Sequence, residues 1–252
     1  MTGSGGKRAT ADSFDRAAAS YVASRVHREG ADLDRIAEWG SGADRALDVA
    51  TGAGHTARAL AGDGVEEVVA ADAAPAMAAT ADGIEGVTGV VADAERLPFG
   101  TGFDAVTCRI AAHHFPEPDR FVAEAARVLH PGGTLILEDN VAPADPALDA
   151  FLNGIERLRD PTHVRSYSVP EWRSMLSRAG FEVLDSVSFS KTLTYDDWVE
   201  RIDTSAERRE RLVRRFADPP EGAVERFSIE YGAEGVRSFA NPKRLFRASI
   251  PE

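Results

Sequence analysis

The sequence predicts an α/β fold built on a mostly parallel, doubly wound sheet with helices on both faces. Three observations carry that prediction. Short apolar runs near 45–50, 67–71, 87–91, 103–108 and 134–138 alternate with helical patterns near 55–62, 75–82 and 119–130. Alternation of this length builds parallel strands joined by crossover helices. The first run, Ala46-Leu-Asp-Val-Ala50, breaks at Gly52-Ala-Gly54 and re-enters as a helix at Thr56 to Leu60. Asp72 ends the second run and Asp93 follows the third, and ligands of parallel sheets bind at the carboxyl ends of the strands.

Taken in chain order, residues 1–11 are small and polar and read as a frayed end. From Asp12 the pattern turns helical, with Phe14, Ala18, Tyr21, Val22 and Val26 on one face. That stripe serves either to cover the sheet edge or to close as a lid, and His27 beyond it reads as a surface histidine. A short helix at 32–39 leads into Gly40-Ser-Gly42, where the strand–helix alternation begins. The helix at 119–130 is bounded by Asp119 after two prolines and by Pro131-Gly132-Gly133, and buries Phe121, Val122, Ala125, Val128 and Leu129.

Beyond Asp139 the character changes. A helix near 147–159 gives way to the turn-rich stretch Asp160-Pro-Thr-His163-Val-Arg165. Ser168 opens another helix with Pro170 in its first turn, and Gly180 closes it. Phe181 to Phe189 alternates as a half-buried strand. The stretch 195–216 reads as one helix whose arginines between 208 and 215 form a solvated face. Ser228 to Tyr231 and Arg244 to Ile250 supply the final strand material.

A net charge of −12 argues against a nucleic-acid partner, because phosphate recognition needs a basic stripe. No window has the long apolar run of a membrane span. Cys108 is the only cysteine, so no intrachain disulfide or cysteine-based metal cluster is expected, and the cytoplasm is the default compartment.

The glycine turn fits two cofactors. Gly52-x-Gly54-x-x-Ala57 matches the dinucleotide fingerprint, and Asp72 lies near the spacing at which a carboxylate meets ribose hydroxyls. Asp48 tips the balance. An acid just before the loop repels a pyrophosphate and attracts the ammonium group of a methionine moiety. To these add Asp93-Ala-Glu-Arg-Leu-Pro-Phe99, Phe103-Asp-Ala-Val-Thr-Cys-Arg109 and Leu129-His-Pro-Gly-Gly-Thr-Leu-Ile-Leu-Glu138.

In that order, the motifs resemble a class I S-adenosylmethionine-dependent methyltransferase of the small-molecule type grouped with the ubiquinone and menaquinone C-methyltransferases. The match covers residues 45 to 140. The resemblance implies a Rossmann-like sheet of seven strands with an antiparallel last strand, carrying N-terminal and inserted helical caps. It divides a single domain, 1–252, into an N-terminal cap (1–44), a cofactor-binding core (45–140) and an acceptor-side segment (141–252). S-adenosylmethionine is then the methyl donor, held by Tyr21, Asp48, Ala50, Gly52, Gly54, Asp72, Ala73, Met77, Asp93, Ala94 and Arg109. Asp72 would grip the ribose hydroxyls and face an open site, Met77 would wall the adenine, and Asp93 and Ala94 would read its edge. Arg109 would lie near the methionine carboxylate.

On the acceptor side, Ile110-Ala-Ala-His113-His114-Phe115 follows the fourth strand. Adjacent histidines lack metal-ligand spacing on one helix face, so no metal is expected. One of the two, with His114 the residue singled out, is the candidate to line the acceptor pocket or to take a proton from an oxygen acceptor, since imidazole titrates near neutrality, while His163 and Arg165 are candidates to recognise a polar or anionic small-molecule acceptor. A second copy of the chain, as a homodimer, is the other candidate partner. A nicotinamide-dependent oxidoreductase and a non-catalytic S-adenosylmethionine-binding protein are the competing functions. No Tyr-x-x-x-Lys dyad supports the former.

Overall fold

The computed structural model describes residues 30–233 and 235–252. The helix expected from Asp12, with Phe14, Tyr21 and His27, lies outside the described residues. Five strands, β1 (Arg45–Val49), β2 (Glu67–Asp72), β3 (Val87–Val91), β4 (Phe103–Arg109) and β5 (Leu129–Asn140), pair in parallel in the order β3-β2-β1-β4-β5. The sheet continues through β8 (Gly235–Ser249) to β6 (Glu182–Thr194), and β8 runs antiparallel to both neighbours. The chain's last strand is thus the antiparallel one, inserted between β5 and β6. A short β7 (Glu230–Gly232) pairs with β8 as an eighth strand.

Helices α1 (Ala31–Gly40), α2 (His55–Gly62) and α3 (Pro75–Asp82) belong to the first half, and α4 (Pro118–Val128) precedes β5. After β5 come α5 (Pro146–Arg159) and α6 (Val169–Arg178), with Ser168 and Glu171 closing a capping box at the start of α6. The helix expected over 195–216 is two, α7 (Tyr195–Glu200) and α8 (Ala206–Ala217). Asp203 between them takes a left-handed conformation at φ 52°, which ends one helix before the next begins. A last turn, α9 (Ala223–Arg226), precedes β7.

Side-chain alternation along the strands sorts the core into two faces. Leu47, Val69, Val106, Leu135 and Leu137 pack with Phe121, Val122 and Trp172 from α4 and α6. Ala46, Val68, Ala70 and Ala105 pack with Ala57, Leu60 and Ala81 from α2 and α3, and Ile136 and Leu245 pack with Ile36 of α1. A separate aromatic cluster of Phe151, Trp198, Phe216, Phe227 and Phe239 joins α5, α7, α8, the turn after Arg226 and β8. Among the described residues, no helix is long and apolar enough to cross a membrane.

Candidate active site

The loop after β1 is held from behind. Asp48 is 1% exposed and accepts the hydroxyls of Thr51 and Thr107, both at 2.6 Å. Burial pushes its carboxyl up to about 6, against the opposing effect of those two hydroxyls. The direct contact with a ligand ammonium expected of Asp48 is not what this geometry offers. Its oxygens organise the loop, and its field reaches the cradle through the turn that it supports. Ala50 stands in the left-handed region at φ 54°, followed by Gly52 at 55° and Gly54 at 77°.

The two glycines have different reasons. A Cβ on Gly52 would meet nothing within 4 Å, so the backbone there faces open space. A Cβ on Gly54 would come within 2.4 Å of Ile84 Cδ1 and 3.3 Å of Ala81 Cα. Gly54 therefore serves the packing of α2 on the segment around α3 as well as its positive φ.

Asp72, half-buried at the end of β2, accepts the Gly52 N–H through Oδ2 and the Ala74 N–H through Oδ1, each at 2.9 Å. It is part of the loop's own hydrogen bonding, which corrects the expectation of a carboxylate that faces only an open site. Ala73 next to it is exposed, and Met77 on α3 is buried. Asp93 accepts the Glu95 N–H at 2.9 Å through its side chain and the Arg96 N–H at 2.9 Å through its carbonyl, which turns the chain sharply after β3 with Ala94 buried inside.

Arg109 departs from expectation. Thr107 and Arg109 point to the same face as Asp48, two residues apart on β4, and Arg109 lies opposite Glu138 in the β4–β5 register. Its guanidinium reaches Asp32 Oδ2 of α1 at 2.5 Å and Glu138 Oε2 at 3.2 Å, with 5% of the side chain exposed. Two acids already flank the charge that was expected to meet a ligand carboxylate. Glu138 is fully buried and its carboxyl is pushed up to about 7 by burial, with Lys243 and Arg109 pulling the other way. Lys243 of β8 donates to Asn140 Oδ1 at 2.5 Å.

The turn after β4 starts from another left-handed non-glycine residue, Ile110 at φ 54°. A β-branched residue is rarely found there, and its N–H is held by the Glu138 carbonyl at 2.7 Å. The chain then turns through Ala112–His114. The His113 carbonyl accepts the N–H groups of Val164 at 2.9 Å and Arg165 at 3.1 Å, which docks the loop after α5 onto this turn. Three imidazoles gather as a result. Ring centroids lie 4.2 Å apart for His113 and His114, 5.4 Å for His113 and His163, and 6.4 Å for His114 and His163.

Their partners differ. His113 Nδ1 sits 2.6 Å from Asp139 Oδ1. His114 Nδ1 lies 3.1 Å from the Thr162 carbonyl, and burial followed by His113 nearby lowers its pKa to about 4. His163 Nε2 lies 3.0 Å from Asn153 Oδ1, and burial followed by the two other histidines lowers its pKa to about 2. Arg165 contributes its backbone, while its guanidinium pairs with Asp149 at 2.8 Å and Glu171 at 3.2 Å, tying α5 to α6. That corrects the expectation of an open guanidinium for the acceptor.

The sequence reading missed the Thr51–Asp48–Thr107 bracket, the left-handed Ala50 and Ile110, and the pairing of His113 with Asp139. A signal for the last was present: the apolar run of β5 ends on the polar triplet Glu138-Asp139-Asn140. Among the described residues, no group of three or more His, Cys, Asp or Glu side chains is arranged to hold a metal.

A glycine loop after β1, acids at successive strand ends and this sheet order define the class. Residues 47–137 match the family model described as a methyltransferase domain. The chain is 36% identical over 231 residues to the uncharacterised methyltransferase YcgJ of Bacillus subtilis, which covers 88% of this chain and 91% of that protein. A crystal structure of the methyltransferase-type protein BH2331 from Bacillus halodurans superposes with a TM-score of 0.84 at 39% identity, over 88% of this chain and all of that one. The demethylmenaquinone methyltransferase of Thermus thermophilus is 34% identical over 165 residues, 55% of this chain and 74% of that enzyme. The chain belongs to the class I S-adenosylmethionine-dependent methyltransferases. The nicotinamide alternative left open by the glycine fingerprint is not favoured.

Proposed function

We propose that this methyltransferase acts in the cytoplasm on a small-molecule acceptor, with the donor lying over the β1 and β2 ends and the acceptor entering at the histidine cluster. The observation that carries the donor assignment is the cradle: an open Gly52 backbone directly beside the half-buried carboxylate of Asp72. Those residues fit S-adenosylmethionine. Asp72 holds the Gly52 and Ala74 amides, and a carboxylate is the acceptor that ribose hydroxyls call for. Ala50, Gly52, Gly54 and Ala73 shape the cradle. Met77 backs it, Asp93 and Ala94 close the adenine end, and Asp48 and Arg109 act as the charged layer beneath. Tyr21 remains a proposed lid contact on the sequence pattern alone.

When bound, the donor supplies an electrophilic methyl group on a sulfonium centre and its own leaving group. The protein is therefore asked for position and electrostatics more than for a covalent nucleophile. His114 and His163 supply neutral aromatic walls to the acceptor pocket, and Arg165 braces the loop that carries His163. A small acceptor is supported by the enclosure of this cluster under α5 and by the relative that methylates demethylmenaquinone. Calorimetric titration tests the donor half. S-adenosylhomocysteine should bind and, at about 100 times its Kd, stabilise the fold by about 2.7 kcal/mol, while NAD should do neither. Binding of NAD without binding of the sulfur compound would remove the donor assignment.

A further inference from the structure

We propose that the acceptor carries an ionisable hydroxyl, a phenol or an enol, and that His113, oriented by Asp139, is the base that takes its proton. The proposal rests on the methyl transfer above and adds the chemical class of the acceptor and the residue that prepares it. His113 is 7% exposed, on a turn whose backbone is fixed at Ile110 and by the docked loop. Its Nδ1 faces a carboxylate that is 1% exposed, at 2.6 Å, and the same Asp139 oxygen also accepts the Asn140 N–H at 2.8 Å. A carboxylate is an acceptor only, so the Nδ1 position carries the proton and Nε2 presents the lone pair. His113 Nε2 makes no hydrogen bond to any described residue. The base position is thus set by two fixed contacts and left available at the opposite nitrogen.

The contacts of the two neighbouring rings occupy them otherwise. Asn153 Oδ1 accepts the Ser166 N–H at 2.7 Å, which fixes the orientation of that amide because a backbone N–H only donates. His163 therefore donates from Nε2 to the same oxygen and stays neutral. His114 is likewise held neutral by burial. A proton arriving on His113 meets Asp139 on one side and uncharged imidazoles on the other, together with Glu156 from α5 and Asp160 beyond His114. Of the remaining charges nearby, Arg157 and Arg159 bear on His163, and the buried Lys243 bears on Asp139 and Glu156. An amine acceptor, cationic in water, would instead call for a carboxylate open to the pocket. Asp139 meets His113, and Glu156 accepts the Asn241 amide at 2.9 Å.

The step balances as follows. The hydroxyl proton passes to His113 Nε2, and the electron pair it leaves, on oxygen or delocalised onto the conjugated carbon, forms the new bond to the methyl carbon. The methyl–sulfur pair stays on sulfur as a neutral thioether, and the imidazolium later releases its proton to solvent.

The test uses the full chain, a carbon-13 methyl-labelled donor and a small-molecule cell extract. The carbon shift of the transferred methyl reports whether it sits on oxygen, nitrogen or carbon before the acceptor is identified. The proposal expects the methyl on the acidic oxygen or on a carbon conjugated with it. His113→Gln and Asp139→Asn should keep the parent's affinity for S-adenosylhomocysteine and lose about 10²–10⁴-fold in turnover. The low-pH limb of the parent's rate profile should be absent from His113→Gln. Nitrogen-15 imidazole spectra of the parent saturated with S-adenosylhomocysteine should show His113 as the Nδ1–H tautomer and His163 as the Nε2–H tautomer, whatever the variants' yields. A methyl on nitrogen, or on a carbon not conjugated with an acidic hydroxyl, a His113→Gln variant with the parent's rate and pH profile, or His113 in the Nε2–H tautomer overturns the proposal. So does a parent that binds S-adenosylhomocysteine and transfers no methyl. A parent that fails to bind it overturns the donor assignment instead.

Discussion

Replacing Asp72 by alanine removes the acceptor for the Gly52 and Ala74 N–H groups, both at 2.9 Å. Hydrogen bonds to a charged group contribute about 1.5–3 kcal/mol each, and the half-exposed position discounts them toward the lower end because water can replace part of the loss. The fold should therefore lose ~2–3 kcal/mol in urea unfolding, with an unchanged slope against denaturant. Donor affinity should fall further, by about 10²–10³-fold, because the same change removes the ribose contact and frees the backbone at Gly52. Asp72→Asn keeps one acceptor oxygen for one of the two amides and should lose about half as much stability. Unfolding free energy and S-adenosylhomocysteine affinity, measured side by side, separate the two roles. An alanine variant as stable as the parent would show that the loop does not depend on Asp72. One that binds the ligand like the parent would place the cradle elsewhere.

The two glycines should respond differently. Gly54→Ala should destabilise the fold by roughly 1–3 kcal/mol through its clash with Ile84 and Ala81, whereas Gly52→Ala should cost about 1 kcal/mol from its positive φ yet abolish donor binding. Thermal unfolding and calorimetry check the contrast, and equal stability losses would remove it. Asp48 predicts a pH effect whose sign follows from proton binding. Between the unfolded value of 3.8 and the folded value of about 6 the native state binds more protons, so this group's contribution to stability falls as pH rises through that window. The two-unit shift corresponds to about 3 kcal/mol, and Asp48→Asn should flatten the fall by that order between pH 4 and 7. A variant whose stability tracks the parent's across that range would refute it.

Periodicity and punctuation made the sheet legible. Strand ends were marked by glycine, acid or proline, so the runs at 87–91 and 134–138 fall inside observed strands, and α2 and α3 span the ranges expected. What the sequence hid depends on contacts across long separations. Asp48 and Thr107 are 59 residues apart, and Arg109 and Asp32 are 77 apart. No local pattern shows that an arginine at a strand end will be met by an acid from a preceding helix. The break at Asp203 was hidden for a different reason. Apolar spacing continues across it, and only the backbone conformation interrupts the helix. Left-handed Ala50 and Ile110 carry no glycine to announce them.

The alternation of β5 explains why donor and acceptor chemistry can be kept apart in so small a space. Glu138 and Asp139 are consecutive, so their carboxylates leave the strand on opposite faces. Glu138 turns to Arg109, on the face that also carries Asp48 and Asp72. Asp139 turns to His113, on the face of Leu135 and Leu137. One face thus collects buried acids around a single guanidinium beneath the cradle, and the other collects imidazoles with one carboxylate. The partition is fixed by register, because Glu138 pairs with Arg109 on β4 and with Leu245 on β8. A one-residue slip would exchange the two carboxylates between faces, burying an acid opposite His113 that lacks its bond and leaving Arg109 without its strand partner. The antiparallel β8, pairing with β5 from Thr134 to Asn140, holds that register from the far side. The last strand of the chain therefore helps to fix the separation of the two halves of the site.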